Sequence, residues 1–582
     1  MTVHKKNKTS ILNKYFSFLH RRTKGDRFLF HIVLLSVFIS LFFVLYQVNE
    51  RNLTSVPSSG GTLVEGIVGT PRFVNPVLAI TRSDHDMVSL IYSGLVKLNE
   101  DGNLVPDLAK KIEVQEDGRT YHITLKQGIK FHNGEELTAR DVAYTISLIQ
   151  DPDLKSPLRG NWDSVLVEEL GEYELNIILE EEYTPFIENL TVGILPRALW
   201  NDLPTEQIPF SQNNTQPIGT GPYMIDDVLR NKSGLITSYK LTASPYYSKE
   251  QPNIDTLVFN FYQNEEELLT ALQNEEISST PSLSPDNLKN VDTQTYNIIK
   301  SPLPRTFSIF FNQNKSTVLR DIAVRKALQT AINKQELVNE VVHGYGIPIN
   351  SPIPPDFNTN SRNTSSSTNP NEEELDNIEQ AKSILRDGGW KEVDEIGWQK
   401  EYKKETLTLS ITLSTANTPL FDKTAQYIEA QWKKLGVQVT TDQYEQTDLV
   451  QSIIRPREFE ALLFGNDVSR SLDLYPFWHS SQKNDPGLNI SQYTNIDTDS
   501  LLEKIQKETD SELRSELINK FTEIIMKEIP AIFLYTPTFN YVLDSSISTP
   551  PFKKLDKPSD RFANIAKWHI NADKLWPIFG TQ

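Results

Sequence analysis

The 582-residue chain contains no cysteine. Disulfides, thiolate zinc sites, cysteine nucleophiles and thioether-linked lipid anchors are therefore all excluded. The nine histidines (4, 20, 31, 85, 122, 132, 343, 479 and 569) form no HExxH and no close pair on one helix face, so no dedicated metal site is expected. There is no GxSxG elbow and no P-loop, which leaves acyl transfer and nucleotide hydrolysis without their usual machinery. Carboxylate pairs such as Glu168-Glu169 are ordinary in a chain with 76 acidic residues and read as solvated faces. Acidic residues outnumber basic ones, 74 to 50, beyond the first 50 residues. Those carry +6, leaving −24 of the net −18 on the remainder, a charge that repels phosphate backbones, so nucleic acid is not an expected partner.

What the sequence does have in one block is hydrophobicity. Phe28 to Val48 (FLFHIVLLSVFISLFFVLYQV) is almost wholly apolar and long enough for a bilayer core, which needs about 20 residues. Lys5, Lys6, Lys8, Lys14, Arg21, Arg22, Lys24 and Arg27 precede it against Asp26 alone, so the positive-inside rule puts residues 1–27 in the cytoplasm, 28–48 across the membrane, and the rest outside. The rival reading is a signal peptide cut near Ser55 to Ser59, but its apolar core would usually be shorter, about 7–15 residues. Residues 49–60, rich in Ser, Pro and Gly, read as a flexible linker.

Beyond it, Thr62 to Gly69, Tyr121 to Lys126 and Tyr173 to Leu179 have strand composition or period-two alternation. Thr406 to Ser414 reads as a strand, Leu420 to Leu435 as a helix capped by Gly436, and Val437 to Thr441 as a second strand, which together make a βαβ unit with parallel strands. Asp321 to Val342 reads as one helix with Asp321 at its start, and the polar run Asn358 to Asn371 as a surface loop. Fold class is therefore α/β.

The densest local signal is Leu125 to Thr145 (LKQGIKFHNGEELTARDVAYT): a strand, a turn at His132-Asn133-Gly134, then Thr138 and Asp141 spaced as a capping box. Gly128, Ile129, Lys130, Phe131, Gly134, Leu137, Thr138, Ala139, Asp141 and Val142 resemble the signature of the family 5 extracellular solute-binding proteins of peptide, oligopeptide and nickel ABC importers. Tyr92 to Val96 with Pro106 to Ala109, Pro217 to Tyr223, Val324 to Lys334, Ala381 to Trp390, and Trp478 to Ser481 with Asn489 and Ile529 to Ile532 extend the resemblance over roughly residues 61–550.

The resemblance implies a two-lobed periplasmic-binding-protein-like fold of the large, peptide-binding type II class. Residues 61–105, 215–305 and 537–582 would form the main domain of the first lobe, 106–214 its extra subdomain, and 306–536 the second lobe. It also implies a monomer that carries a peptide or other small solute to permease and ATPase subunits, without cofactor or catalysis. The ligand candidates are Asp467 and Asp473, which compete as the carboxylate for a ligand amine, with Trp478, His479, Asn489 and Trp162 along the cleft. A buried ammonium needs such a carboxylate. Gly219, Gly221, Pro222 and Tyr223 are expected to be structural, the glycines permitting turns where the chain re-enters the first lobe. A ligand-sensing receptor on the same fold, or a tethered hydrolase, are the alternatives.

Overall fold

The structure is a computed structural model that describes residues 23–355, 357 and 370–575. It divides into two units, one holding the chain up to Ser58 and from Asn571 onward, the other running from Ser59 to Ile570.

In the first unit, Lys24–Asn52 is one 29-residue helix, begun by the Thr23 side chain accepting from Asp26 N. Its Phe28–Arg51 segment is long and apolar enough to cross a membrane and is not buried within the chain. The helix continues past Val48 into the expected linker, and the linker itself is largely replaced by strand. Thr54–Ser58 pairs antiparallel with Asn571–Leu575, from Thr54 opposite Leu575 to Ser58 opposite Asn571. Val56 suits the extended backbone, and Pro57 is tolerated because a two-stranded sheet has only edges. This pairing also places Asn571–Leu575 outside the main domain to which the sequence assigned residues 537–582.

The second unit is organised on a twelve-stranded sheet. Its order runs 438–444, 410–416, 461–467, 305–311, 531–544, 279–280, 62–68, 256–262, 236–243 and 223–230, with 296–302 and 346–348 also paired to 531–544. The 14-residue strand Ala531–Asp544 is shared by both halves. Residues 531–535 pair with 305–311, and residues 538–544 pair with 296–302. Both its faces are covered, which is why it reads as the near-continuous apolar run AIFLY. Ile532 and Leu534 pack with Leu328 and Trp432, Ala531 and Phe533 with Trp478 and Phe521, and Tyr541 with Leu63 and Trp568.

A separate four-stranded antiparallel sheet, ordered 109–114, 120–125, 174–178 and 166–171, packs Ile123 and Ile177 with Val142 and Ile146 of the helix Ala139–Gln150. The motif that carries the family resemblance is the joint between this sheet and the large one. Asp141 accepts from Thr138 N at 2.9 Å and Thr138 Oγ1 at 3.0 Å, and its other oxygen accepts from Arg197 N at 2.9 Å. His132 is buried and spans the returning chain: its Nδ1 accepts from Gly219 N at 3.3 Å, and Nε2, which must then carry the proton, donates to Gly221 O at 3.0 Å.

Several local expectations are revised by tertiary contacts. The βαβ unit forms, with 410–416 and 438–444 parallel around the helix Pro419–Leu435 and Gly436 in the left-handed region at φ 91°. The strand expected over 406–414 is two strands in two sheets, divided at the buried Leu409, whose N–H donates to Trp398 O at 2.8 Å. The single helix expected over 321–342 is Ile322–Thr330 and Lys334–Val342, because the Asn333 side chain accepts from Glu336 N and starts a new helix. Residues 358–369 of the expected loop lie outside the described residues, while Pro370 and Asn371 open the helix Pro370–Asp387.

The centre of the first half is ionic. Arg561, with its side chain 0% exposed, donates through Nη1 and Nη2 to the two oxygens of Asp86 at 2.8 and 2.9 Å and through Nη2 to Glu65. Tyr541 and Ser279 hydroxyls donate to the other Glu65 oxygen at 2.7 and 3.1 Å. Burial, then Asp86, push the Glu65 carboxyl up, and Arg561 opposes them. Removing one member of a buried ion group strands its partners and costs about 3–5 kcal/mol. Arg561→Met is therefore expected to lower the unfolding free energy by that amount in urea titration, and a loss below about 1 kcal/mol would contradict the packing described.

Burial pulls His132 down from 6.5 to about 4. The unfolded imidazole takes a proton below 6.5 and the folded one only below about 4, so the stabilisation is complete above 6.5 and is lost as pH falls through that window, amounting to about 3 kcal/mol at its limit. The difference in urea midpoint between the wild-type chain and His132→Gln should shrink between pH 7 and pH 4. A difference that stays constant would show His132 to be free to protonate in the fold.

Candidate functional site

The two halves of the large unit meet where the strand Ala461–Asp467 delivers its chain into the loop 468–474. Ser469 and Leu472 take the left-handed conformation there, at φ 55° and 52°. Arg514, on the helix Ser511–Glu528, braces the loop by donating to Ser471 O at 2.6 Å and Ile505 O at 3.2 Å. Rigid bracing matters because a side chain on a loop positions a partner only as well as the loop is held.

Asp467 and Asp473 both sit at this seam, Asp467 partnered from the neighbouring strand and Asp473 from the small-sheet region. Asp467 pairs with Arg305 at 2.9 Å, both side chains about half exposed (50% and 45%). Asp473 accepts the Tyr183 hydroxyl at 2.7 Å and Gln506 Nε2 at 3.4 Å. Tyr183 belongs to the small-sheet region, so this bond joins the two halves. Burial, followed by the Asp473 charge, raises the Tyr183 phenol above its ordinary value.

A second bridge runs from Arg470. Its Nη2 meets Asp560 Oδ2 at 2.8 Å, its backbone N donates to Asp556 Oδ1 at 2.7 Å, and its Nε reaches Lys554 O at 3.3 Å. Glu188 completes the group: burial and the neighbouring Asp556 push its carboxyl up to about 7, opposed by Arg470 and by the Ser471 hydroxyl. Asp556 is likewise raised by burial and then by Asp560.

The other candidates lie elsewhere. Trp478, 2% exposed, is enclosed by Phe310, Tyr493, Phe521 and Phe533. Trp162, 1% exposed, packs edge-on to Phe186. Asn489 is buried with its amide spent on the Trp478, His479 and Tyr493 carbonyls, and its oxygen accepts from Tyr493 N at 3.1 Å. His479 is buried, stacks on Tyr475 at 4.1 Å and accepts from Ser481 N at 3.1 Å.

Pro222 borders a cavity beside the seam, and Tyr223 is buried with its hydroxyl on Ile254 O. The two glycines differ from expectation in mechanism. Neither has positive φ; instead a Cβ on Gly219 would lie 2.1 Å from Ile91 O and one on Gly221 2.4 Å from Leu90 O, so their service is close packing on the end of a helix. Among the described residues, no three His, Cys, Asp or Glu side chains are grouped to hold a metal ion.

Tyr183, Glu188, Arg470, Arg514, Asp556 and Asp560 were not singled out by sequence. The one signal available was Lys557-Pro558-Ser559-Asp560, which has the form of a helix start and does begin a 3₁₀ helix with Asp560 in its first turn.

A large shared sheet, two cores and a bridged seam between them define a two-lobed solute-binding architecture. Residues 103–487 match the family described as bacterial extracellular solute-binding proteins, family 5, and the chain belongs to that family. It is similar to the oligopeptide-binding protein AppA of Bacillus subtilis, 27% identical over 533 residues, with 88% of this chain and 92% of the relative covered. It is also similar to the dipeptide-binding protein of Escherichia coli, 24% identical, with 81% and 89% covered. The solved structure of Bacillus subtilis AppA with a nonapeptide superimposes with TM-score 0.65 at 26% identity, over 88% of this chain and 100% of that one. A putative peptide-binding protein AppA from Clostridium difficile gives 0.71 at 21% identity, over 88% and 100%.

A hydrogen bond to a carboxylate contributes about 1.5–3 kcal/mol. Tyr183→Phe should therefore shift the balance of the halves toward separation by at least tenfold, seen as a larger radius of gyration in small-angle scattering of the ligand-free chain. An unchanged radius would mean the Tyr183–Asp473 bond does not hold the seam.

Proposed function

We propose that the chain is the membrane-anchored extracellular receptor of an ABC importer, that it captures short peptides between its lobes, and that it hands them to permease and ATPase subunits without chemical change. The observation that carries this is the seam. Bonds cross it from Asp473 and Arg470 on one side to Tyr183, Asp556 and Asp560 on the other, and a second set joins His343 and Lys423 to Asp286. The peptides bound by the relatives named above support the choice of ligand.

In this reading the lobes divide at Pro302 to Arg305 and at Thr536 to Thr538. The first lobe then comprises the main domain and the 106–214 subdomain, and the second lobe residues 306–536. Prolines 302, 304 and 537 limit how the crossing strands extend their ladder, since none has an N–H to give. Opening about these crossings exposes Asp467 and Asp473, and an incoming ammonium competes with Arg305 and Tyr183 for them. Main-chain contacts and water-filled side-chain space would give tolerance of sequence. The apolar helix, with the basic segment before it, holds the receptor at the cell surface with its N-terminus in the cytoplasm.

Calorimetric titration of the full chain in detergent with a mixture of di- to hexapeptides should give saturable heat. At a ligand concentration about 100 times the Kd, linkage raises stability by about 2.7 kcal/mol, visible as a higher melting temperature. Absence of both signals with every peptide would refute peptide capture.

A further inference from the structure

The seam gathers more carboxylate than cation. Glu188, on the 3₁₀ helix Thr184–Thr191, and Asp473, Asp556 and Asp560 share the guanidinium groups of Arg470 and Arg514. Arg470 is committed to Asp560 at 2.8 Å and to Lys554 O. Arg514 donates to the Ser471 and Ile505 carbonyls, and Asp473 is its foremost charged neighbour. Asp473 in turn has Tyr183 and Gln506 as donors. Glu188 is left against Asp556, with the Ser471 hydroxyl as a donor, and Lys557 beside Asp556 is exposed.

The other titratable groups on the cavity beside the seam take their partners from within the first half. Lys249 lies on Asp107, Lys567 on Glu100, Lys97 near Glu250, and His85 among Asp84, Asp86, Lys557 and Asp560. Glu188 differs, because it belongs to the first half while Arg470, Ser471 and Arg514, which face it, belong to residues 306–536. Separation of the halves removes all three and admits water. Burial then no longer holds the carboxyl up, and it falls from about 7 toward 4.5. Between those values the joined state binds a proton that the separated state does not, so a fall in pH favours joining.

We propose that Glu188 is a proton-operated latch: joining the two halves takes up one proton at its carboxyl, and acid therefore favours the joined state. This rests on the reading that the lobes part and close. Once neutral, Glu188 no longer opposes Asp556, while Arg470 stays on Asp560. A receptor so built holds its solute more tightly in an acidified medium and releases it more readily in a neutral one.

The test uses the absence of cysteine from the chain. Glu181→Cys and Lys507→Cys place thiols at exposed positions on either side of the Tyr183–Asp473 bond. A nitroxide on each reports their separation by dipolar electron spin resonance of the ligand-free full chain in detergent. From pH 7.5 to pH 5.5 the ratio of short to long distances should rise by about fivefold or more, within what a carboxyl moving between 4.5 and about 7 allows. Glu188→Gln, which keeps the shape without the titration, should favour the short distance at both pH values and change less than twofold. If the chain gives the short distance alone throughout, Tyr183→Phe, which weakens the seam, supplies the open population and the same comparison decides. An unchanged ratio, or the long distance alone at pH 5.5, would overturn the latch. So would a rise that survives Glu188→Gln, which would belong to another group such as His343 on Asp286. No peptide enters this measurement. Calorimetric heat from peptides with a pH-independent ratio would refute the latch and leave peptide capture standing, and a pH-dependent ratio lost in Glu188→Gln, with no heat from any peptide, would do the reverse.

Discussion

A guanidinium with no access to solvent fixes the order of the first half. Arg561 reaches Asp86 on one helix and Glu65 on the strand Thr62–Val68, and Tyr541 of the shared strand closes on the same Glu65. Four segments distant in sequence are thereby held at one point. A buried charge tolerates no substitute geometry, because each oxygen and N–H that loses its partner bears the full cost of desolvation. The guanidinium also lies 4.0 Å from the Phe562 ring centroid, so its open face is covered by aromatic carbon. The 3₁₀ helix Pro558–Lys567 carries this anchor.

The second organising feature is a strand that contributes to the cores of both halves. Ala531–Asp544 lends its early residues to the half containing Trp432 and Trp478 and its later residues to the half containing Trp568. Thr536 and Pro537 carry the strand from one pairing to the other. The bonds that cross the seam differ in exposure: the Arg470–Asp560 pair is nearly buried, at 12% and 11%, and the Tyr183–Asp473 bond is part-buried.

What was legible in the sequence was local. The Thr138–Asp141 box, Gly436 at a helix end and the parallel 410–416/438–444 pair follow from chemistry within a few residues of each feature. The breaks at Leu409 and Asn333 were not legible, since they answer to Trp398 and to a competing cap. The site divides in the same way. Asp467 and Asp473 stand out as acids after a buried strand, but their partners Arg305 and Tyr183 come from 162 and 290 residues away. Glu188, Arg470 and Asp556 have no distinguishing neighbours, and only the fold collects them. Conversely, Trp478 and Asn489 are conspicuous in the sequence for reasons of packing and backbone satisfaction.

The pairing of Thr54–Ser58 with Asn571–Leu575 has a consequence for biogenesis. The first of these strands leaves the ribosome before the Ser59–Ile570 body and its partner after it, so the whole of that body is made between them. Closing so long an interval is entropically disfavoured until that body has collapsed and brought its ends together. The little two-stranded ribbon is thus a late event of maturation.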